Sequence, residues 1–163
     1  MEALSLQKIS GINYDALAAA SPYLAESLLS NPEQYSKAME ASFRFVKYLK
    51  ARKQSRLLKI LAEHEKGFGE TGLLMLSECI LIILNDILKA RLSSSREILN
   101  RRKMDQIQEW SEVFDDKSIL AIENLIKKSI TEHREGFAAP LKYRLIHATA
   151  VACHVLQACE ASK

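Results

Sequence analysis

Glycine, proline and cysteine are all scarce in this chain of 163 residues, which holds five, three and three of them. A β-sandwich or a doubly wound α/β fold of this length needs turn residues about every 8–12 positions, so the scarcity excludes both and favours few, long elements. The cysteines, Cys79, Cys153 and Cys159, are odd in number and none stands in a C-x-x-C, which leaves no disulfide framework. Each lies in an apolar helical stretch, where free cysteine acts as a small core residue, and the usage is that of a reduced, cytoplasmic protein. A surplus of charge is lacking too. Lysine and arginine number 23 against 20 acidic residues, a net charge of +3, so any nucleic-acid contact would have to be a local patch. The longest apolar stretch, Leu73 to Leu84, is broken by Ser77 and Glu78 and closed by Asn85 and Asp86, too short and too polar to span a bilayer. The start, Met-Glu-Ala-Leu-Ser-Leu, has no basic segment followed by an apolar one, so it does not read as a signal peptide.

What is present is helical periodicity. Apolar residues make up 48% of the chain, and a single domain of this size buries about 68–70% of its unfolded surface, enough for a core without staples. Asn13 is placed to cap a helix over Tyr14 to Ala20. Ser21-Pro22 and Asn31-Pro32 are two further starts, each a capping residue followed by proline at the first helical position. After Asn31, Tyr35, Met39, Phe43, Val46 and Leu49 recur at steps of three and four, opposite Glu40, Arg44, Lys47 and Lys50. A break near Gln54-Ser55 precedes a shorter helix, Arg56 to Glu65, which Gly67 and Gly69 are placed to end. The central helix, Glu70 to Leu92, is apolar nearly all round and must be enclosed on several sides. A polar loop, Ser93 to Arg102, leads to a helix over Lys103 to Phe114 with Ile107, Trp110 and Val113 on one face. Asp115-Asp116 opens the next, striped by Ile119, Ile122, Ile126 and Ile130. Gly136 stops it, and after Pro140 the last helix aligns Leu141, Leu145, Ala148, Ala152, Val155 and Cys159. No strand is expected, so the fold class is an all-α single domain of six to eight helices.

Catalytic and cofactor motifs are nearly absent from the sequence. Gly67-Phe-Gly69-Glu-Thr-Gly72 matches G-x-G-x-x-G as a string, but the residues before it, Ala62 to Lys66, are charged and helical. A dinucleotide fingerprint needs a strand to deliver its glycines beneath a helix N-terminus, so the string reads as a turn between helices. G-x-x-x-x-G-K-[ST] and G-x-S-x-G do not occur. His147 and His154 lie seven residues apart, about 10 Å along a helix axis and too far to share one metal. His64, between Glu63 and Glu65, has no H-E-x-x-H partner. Cys153 and His154 diverge on the helix as adjacent residues do. No catalytic residue, metal site or cofactor is expected.

The one local charge signal is basic. From Ala41 to Lys59 the basic residues Arg44, Lys47, Lys50, Arg52, Lys53, Arg56 and Lys59 occur with no acidic one, interleaved with Phe43, Phe45 and Tyr48. An anionic partner, phosphate backbone or acidic protein surface, would dock on such a group; the plainer alternative is a solvated helix face with the aromatics turned inward. Arg44, Lys47, Lys50, Arg52, Lys53 and Arg56 are taken as the candidate partner or DNA contacts. Arg96, Arg101, Arg102 and Lys103 form a second, looser group.

The order of features resembles the C-terminal half of bacterial clamp-loader subunits of DNA polymerase III, most like the delta-prime subunits. In that family a segment of the type A-x-G-S-P-G-x-A-l-x-L closes the AAA+ module. Leu17-Ala-Ala-Ala-Ser21-Pro22-Tyr-Leu-Ala25-Glu-Ser-Leu28-Leu29 is similar to it. A helix pair follows in the family, then an apolar helix ending in a W-l-R-D-l-L-like stretch and a polar loop. Leu84-Asn-Asp86-Ile-Leu88-Lys-Ala-Arg91 before Ser93 to Asn100 is similar to that ending. Gly136-Phe-Ala-Ala-Pro-Leu141-Lys-Tyr-Arg-Leu145 stands where the family's last helix begins. The chain departs from the pattern at Ala20 and Tyr23, at Leu84 and Asn85, and at Phe137 and Ala138. The resemblance implies a short lead-in over 1–30, like the end of an AAA+ lid, and a helical collar-like oligomerisation domain over 31–163. It implies a non-catalytic role, holding a subunit in the five-membered ring that loads the sliding clamp onto primed DNA. The partners would be other clamp-loader subunits, with DNA contact indirect and no membrane. Two other readings of the residues stand beside it: a helical adaptor or regulatory module unrelated to replication, and a small-molecule-binding bundle with a pocket beside Leu73 to Leu88. The apolar surplus of the central and last helices offers surface for a partner, or simply fills a self-sufficient core.

Overall fold

The computed structural model describes residues 12–162. The opening residues read above for a signal peptide lie outside them. Among the described residues the fold is all-α with no strand: α1 (Tyr14–Ala20), α2 (Pro22–Ser30), α3 (Pro32–Lys50), α4 (Gln54–Arg91), α5 (Met104–Val113), α6 (Asp116–Arg134) and α7 (Leu141–Ala161). Two single 3-10 turns, Ser95–Glu97 and Arg101–Lys103, connect α4 to α5.

The starts predicted from local chemistry are made as expected. The Asn13 side chain accepts the amides of Asp15 and Ala16, Ser21 Oγ accepts that of Leu24, Asn31 Oδ1 that of Gln34, and Asp115 Oδ1 that of Ser118. Each satisfies an orphan donor at a helix N-terminus, worth about 0.5–2 kcal/mol apiece. Leu17, Leu24 and Leu28 join the same buried cluster as the rest of the chain.

The glycine string breaks the helix as expected, but at one position and not two. Gly67 does not end a helix; the helical path runs on to Gly69, which sits at φ 69°, ψ −163° as a kink inside α4. That backbone region is open essentially to glycine alone, so Gly69 interrupts the helical path and separates two helical limbs, as expected of the glycine string, with the break at its second glycine. At Gly72 a Cβ would stand 2.3 Å from Phe68 Cβ, so glycine lets the two limbs of the kink close on each other. The limbs bury Leu57, Ile60 and Leu61 on one side of the bend, and Leu73, Leu76, Ile80, Ile83 and Ile87 on the other. By length and composition α4 is apolar enough to cross a membrane, but 67% of its most apolar window is buried within the fold, where α3, α5, α6 and α7 all pack on it.

Two other local readings are corrected. Val113 is exposed, and Phe114, one residue on, takes its place in the core because α5 ends at Val113 and turns the chain inward. The segment after α4 is polar in composition but not a free loop, since Ile98, Leu99 and Asn100 are buried. The isoleucine stripe of α6 is buried throughout, as are Leu141, Leu145, Ala148 and Ala152 of α7, while Val155 and Cys159 are only half-buried. All three cysteines are free thiols.

Candidate partner interface

The six basic residues singled out from the sequence come from α3, the three-residue turn after it, and the first turn of α4. That turn reverses the chain with Arg52 at a positive φ of 53°, and Lys53 donates its amide to the Tyr48 carbonyl at 3.0 Å. The six then separate into two kinds. Lys50 Nζ reaches Glu109 of α5 at 2.6 Å, and Arg52 pairs with Glu160 near the end of α7. These two cations are neutralised within the fold. Arg44, Lys47, Lys53 and Arg56 are exposed and form no ion pair among the described residues. Phe43 and Phe45 are buried and Tyr48 half-buried, so the interleaved aromatics belong to the core and offer no platform for stacking bases.

The second basic group meets the first at one point that the sequence did not signal. Lys103 Nζ lies 5.7 Å over the ring of Phe43, whose own ring is 5.8 Å from Trp110. The start of α5 is thereby laid beside α3, with Lys47 one turn beyond Phe43. Arg101 is turned back onto its own segment by a bond to the Arg96 carbonyl at 3.0 Å. On the other flank of α3, Arg44 faces His64, a buried residue of α4 whose ring lies tilted at 46° against that of Phe68 with centroids 4.9 Å apart. Burial holds the His64 imidazole below its ordinary titration range, with the Arg44 cation adding to the effect and the Gly72 backbone opposing it. His64 is thus a core histidine.

A different surface has the chemistry of a protein contact. From Leu145 to Ala158 the sequence of α7 contains no Asp, Glu, Lys or Arg. One side of the helix packs on α4 and α6. The other turns Tyr143, His147, His154 and Ala158 outward, with Ile146, Ala150, Val151 and Val155 half-buried beside them. The spacing of 143, 147, 150 and 154 alternates four and three, the seam that a neighbouring helix packs into. Tyr143 is 63% exposed, and Phe137 in the turn before α7 is 56% exposed. The sequence pointed to the buried stripe of this helix and missed its outer one, which shows only as missing charge.

No protein-family model matches the chain, and neither a curated protein nor a solved structure is significantly similar to it. Among the described residues, what the fold and its surfaces define is a helical bundle of a single core, with an uncharged helix face and four exposed cations, Arg44, Lys47, Lys53 and Arg56, without an ion pair.

Proposed function

We propose that this chain is a non-catalytic assembly domain, and that the assembly is the clamp loader of a bacterial DNA polymerase III. The observation that carries the assembly role is the outer face of α7. A surface helix of a self-sufficient bundle normally carries charge on its solvent side. This one presents an aromatic ring, two imidazoles and small apolar residues at interhelical spacing, the composition of an interface centre depleted of charge. Support for the particular assembly comes from the helix order and the segments around Ser21-Pro22, Leu84 to Arg91 and Gly136 to Leu145. Arg44, Lys47, Lys53 and Arg56 add an unpaired cationic strip for an acidic partner surface or, indirectly, DNA. The same proposal places the protein in the cytoplasm, without a cofactor of its own.

Light scattering of the chain, alone and mixed with the clamp loader's ATPase subunit from the same organism, tests the reading. The expected result is a stable co-eluting complex, lost when His147 and Val151 are both changed to glutamate. Reversing Arg44, Lys47, Lys53 and Arg56 to glutamate should weaken it at low salt more than at high salt. Lys50 and Arg52 are left out of that variant, because their reversal would set like charges against Glu109 and Glu160 at the contacts of α3 and its turn with α5 and α7. Folded protein that binds no clamp-loader subunit would overturn the proposal in favour of an unrelated helical adaptor, whose partners a pull-down would identify.

A further inference from the structure

A cleft of about 390 Å3 runs between α4 and α6, closed at one end by the junction of α1 and α2. Its lining is polar at both ends and apolar between, where Leu81 and Ile82 of α4 face Ile130 of α6. At one end stands Glu123, only 7% exposed. Its carboxylate accepts no hydrogen bond among the described residues, and its one charged neighbour is Lys127, 3.6 Å away and itself largely in solvent. Its oxygens are not closed off from the solvent of the cleft, so they remain open as acceptors for a donor that enters it. Asn85, half-buried on the facing wall, likewise makes no side-chain hydrogen bond.

The opposite end is organised differently. Arg134 Nη2 donates to Glu78 at 2.8 Å, and its guanidinium lies 5.8 Å over the ring of Tyr23. The second oxygen of Glu78 accepts from Ser21 Oγ at 3.4 Å. The guanidinium is therefore fixed by two contacts while most of its N–H donors have no protein acceptor, an arrangement suited to a carboxylate. The cleft holds two carboxylates and two cations, so its net charge favours a ligand that carries both signs. Glu123 and Arg134 are three turns apart, about 16 Å along the axis of α6, and both side chains lean toward the helix N-terminus, so their charged groups are separated by a similar distance. A free amino acid is too short to meet both ends. An extended chain of three residues reaches about 10 Å, and a charged hydrogen bond of about 2.8 Å at each end brings the span to about 16 Å.

We propose that this cleft binds a short zwitterionic peptide of about three residues, with its terminal ammonium on Glu123 and Asn85 and its terminal carboxylate on Arg134. Leu81, Ile82 and Ile130 provide the apolar wall for its middle side chain. The proposal is independent of the assembly reading.

Isothermal titration of the full chain with trialanine and with Ala-Leu-Ala, each in free, N-acetylated and C-amidated form, tests it. Saturable binding of the free peptides is expected, weakened about tenfold or more by blocking either terminus, as for loss of a hydrogen bond between charged groups. Glu123→Gln should abolish the discrimination against the acetylated peptide, and Arg134→Gln that against the amidated one, with circular dichroism confirming that both variants fold. Absence of saturable binding by the free peptides at concentrations up to about 10 mM, a standard free energy near −3 kcal/mol, would overturn the proposal. Equal binding of free and blocked peptides would overturn it as well, whatever the variants do.

Discussion

Asp86 Oδ2, buried near the C-terminal end of the long core helix, accepts both the backbone amide of Asn100 at 3.0 Å and its side-chain amide at 2.8 Å. The other carboxylate oxygen accepts the amide of Leu99 at 2.8 Å. This one side chain is the reason that a segment rich in serine and arginine folds inward. It supplies acceptors for two backbone N–H groups that would otherwise be buried unpaired, and so lets Ile98 and Leu99 enter the core. Burial raises the Asp86 carboxyl above its ordinary range, while the three donated bonds and Lys89 pull it back.

Asp86→Ala leaves those donors without acceptors, and the expected loss is about 2–4 kcal/mol, set by penalties of about 1–3 kcal/mol per orphaned group less what water regains. Asn100→Ala removes a single side-chain bond and should cost about 1 kcal/mol. Urea unfolding of both variants gives the two numbers. A loss below about 1 kcal/mol for Asp86→Ala would mean that Ile98 and Leu99 dock the segment unaided.

The three glycines of the G-x-G-x-x-G string should respond to alanine with different signs. Gly67 lies in helical backbone with open space around its missing Cβ, so Gly67→Ala is expected to stabilise the protein by up to about 1 kcal/mol. Gly69→Ala forces a side chain into a positive-φ region and should cost about 1–3 kcal/mol. Gly72→Ala meets Phe68 Cβ and should destabilise in spite of better helix propensity. Thermal melts of the three variants settle the order. A nucleotide-binding role for the string would instead predict binding losses at all three and no gain at Gly67.

Tyr35 is buried on α3 with a hydroxyl that has no hydrogen-bond partner among the described residues, and burial drives its ionisation well above the ordinary phenol range. Tyr35→Phe removes the unsatisfied group and keeps the ring. The expected result is a variant as stable as the parent or more so, by up to about 1 kcal/mol. A clear destabilisation would reveal a partner for the hydroxyl, such as a buried water.

The lowered titration of His64 has a definite sign. The unfolded chain takes up the proton first, at about pH 6.5, so the stability contributed by the neutral buried ring is complete above that pH and declines as pH falls below it. Arg44 opposes the imidazolium, and Lys37, Glu40 and Glu63 line the same recess. Asp86 works the other way in the acid range: the folded state protonates first, so its share of stability rises as pH falls toward the unfolded carboxyl value. Urea midpoints of the parent and of His64→Leu between pH 5 and 8 separate the two. The parent should lose stability relative to the variant as pH falls below 6.5, and parallel curves would show that His64 does not titrate differently in the two states.

Much of the fold was legible in the sequence because helix starts and amphipathic stripes are local. Asn13, Ser21, Asn31 and Asp115 announce their caps within three residues. The isoleucines of α6 and the alternation of α3 point to the core by period alone. Where the reading failed, the deciding contact lay far away or on the next residue. Val113 and Phe114 both fit the end of a stripe, and only the turn out of α5 determined which was buried. Lys50 and Arg52 look like members of one basic run. Their partners Glu109 and Glu160 stand 59 and 108 residues further on, beyond any local pattern.

The sequence by itself determined the helical class, the caps and the buried stripes, since each follows from side-chain chemistry at spacings of three and four. The tertiary structure decided the rest. Packing turned a string of glycines into a kink, because only Gly69 can hold that backbone. It brought Asp86 beneath a polar segment, neutralised two of six candidate cations, and left Arg44, Lys47, Lys53 and Arg56 without an ion pair among the described residues. It also set Glu123 and Arg134 at the two ends of one cleft, a juxtaposition that depends on how α4 and α6 cross and on nothing readable along the chain.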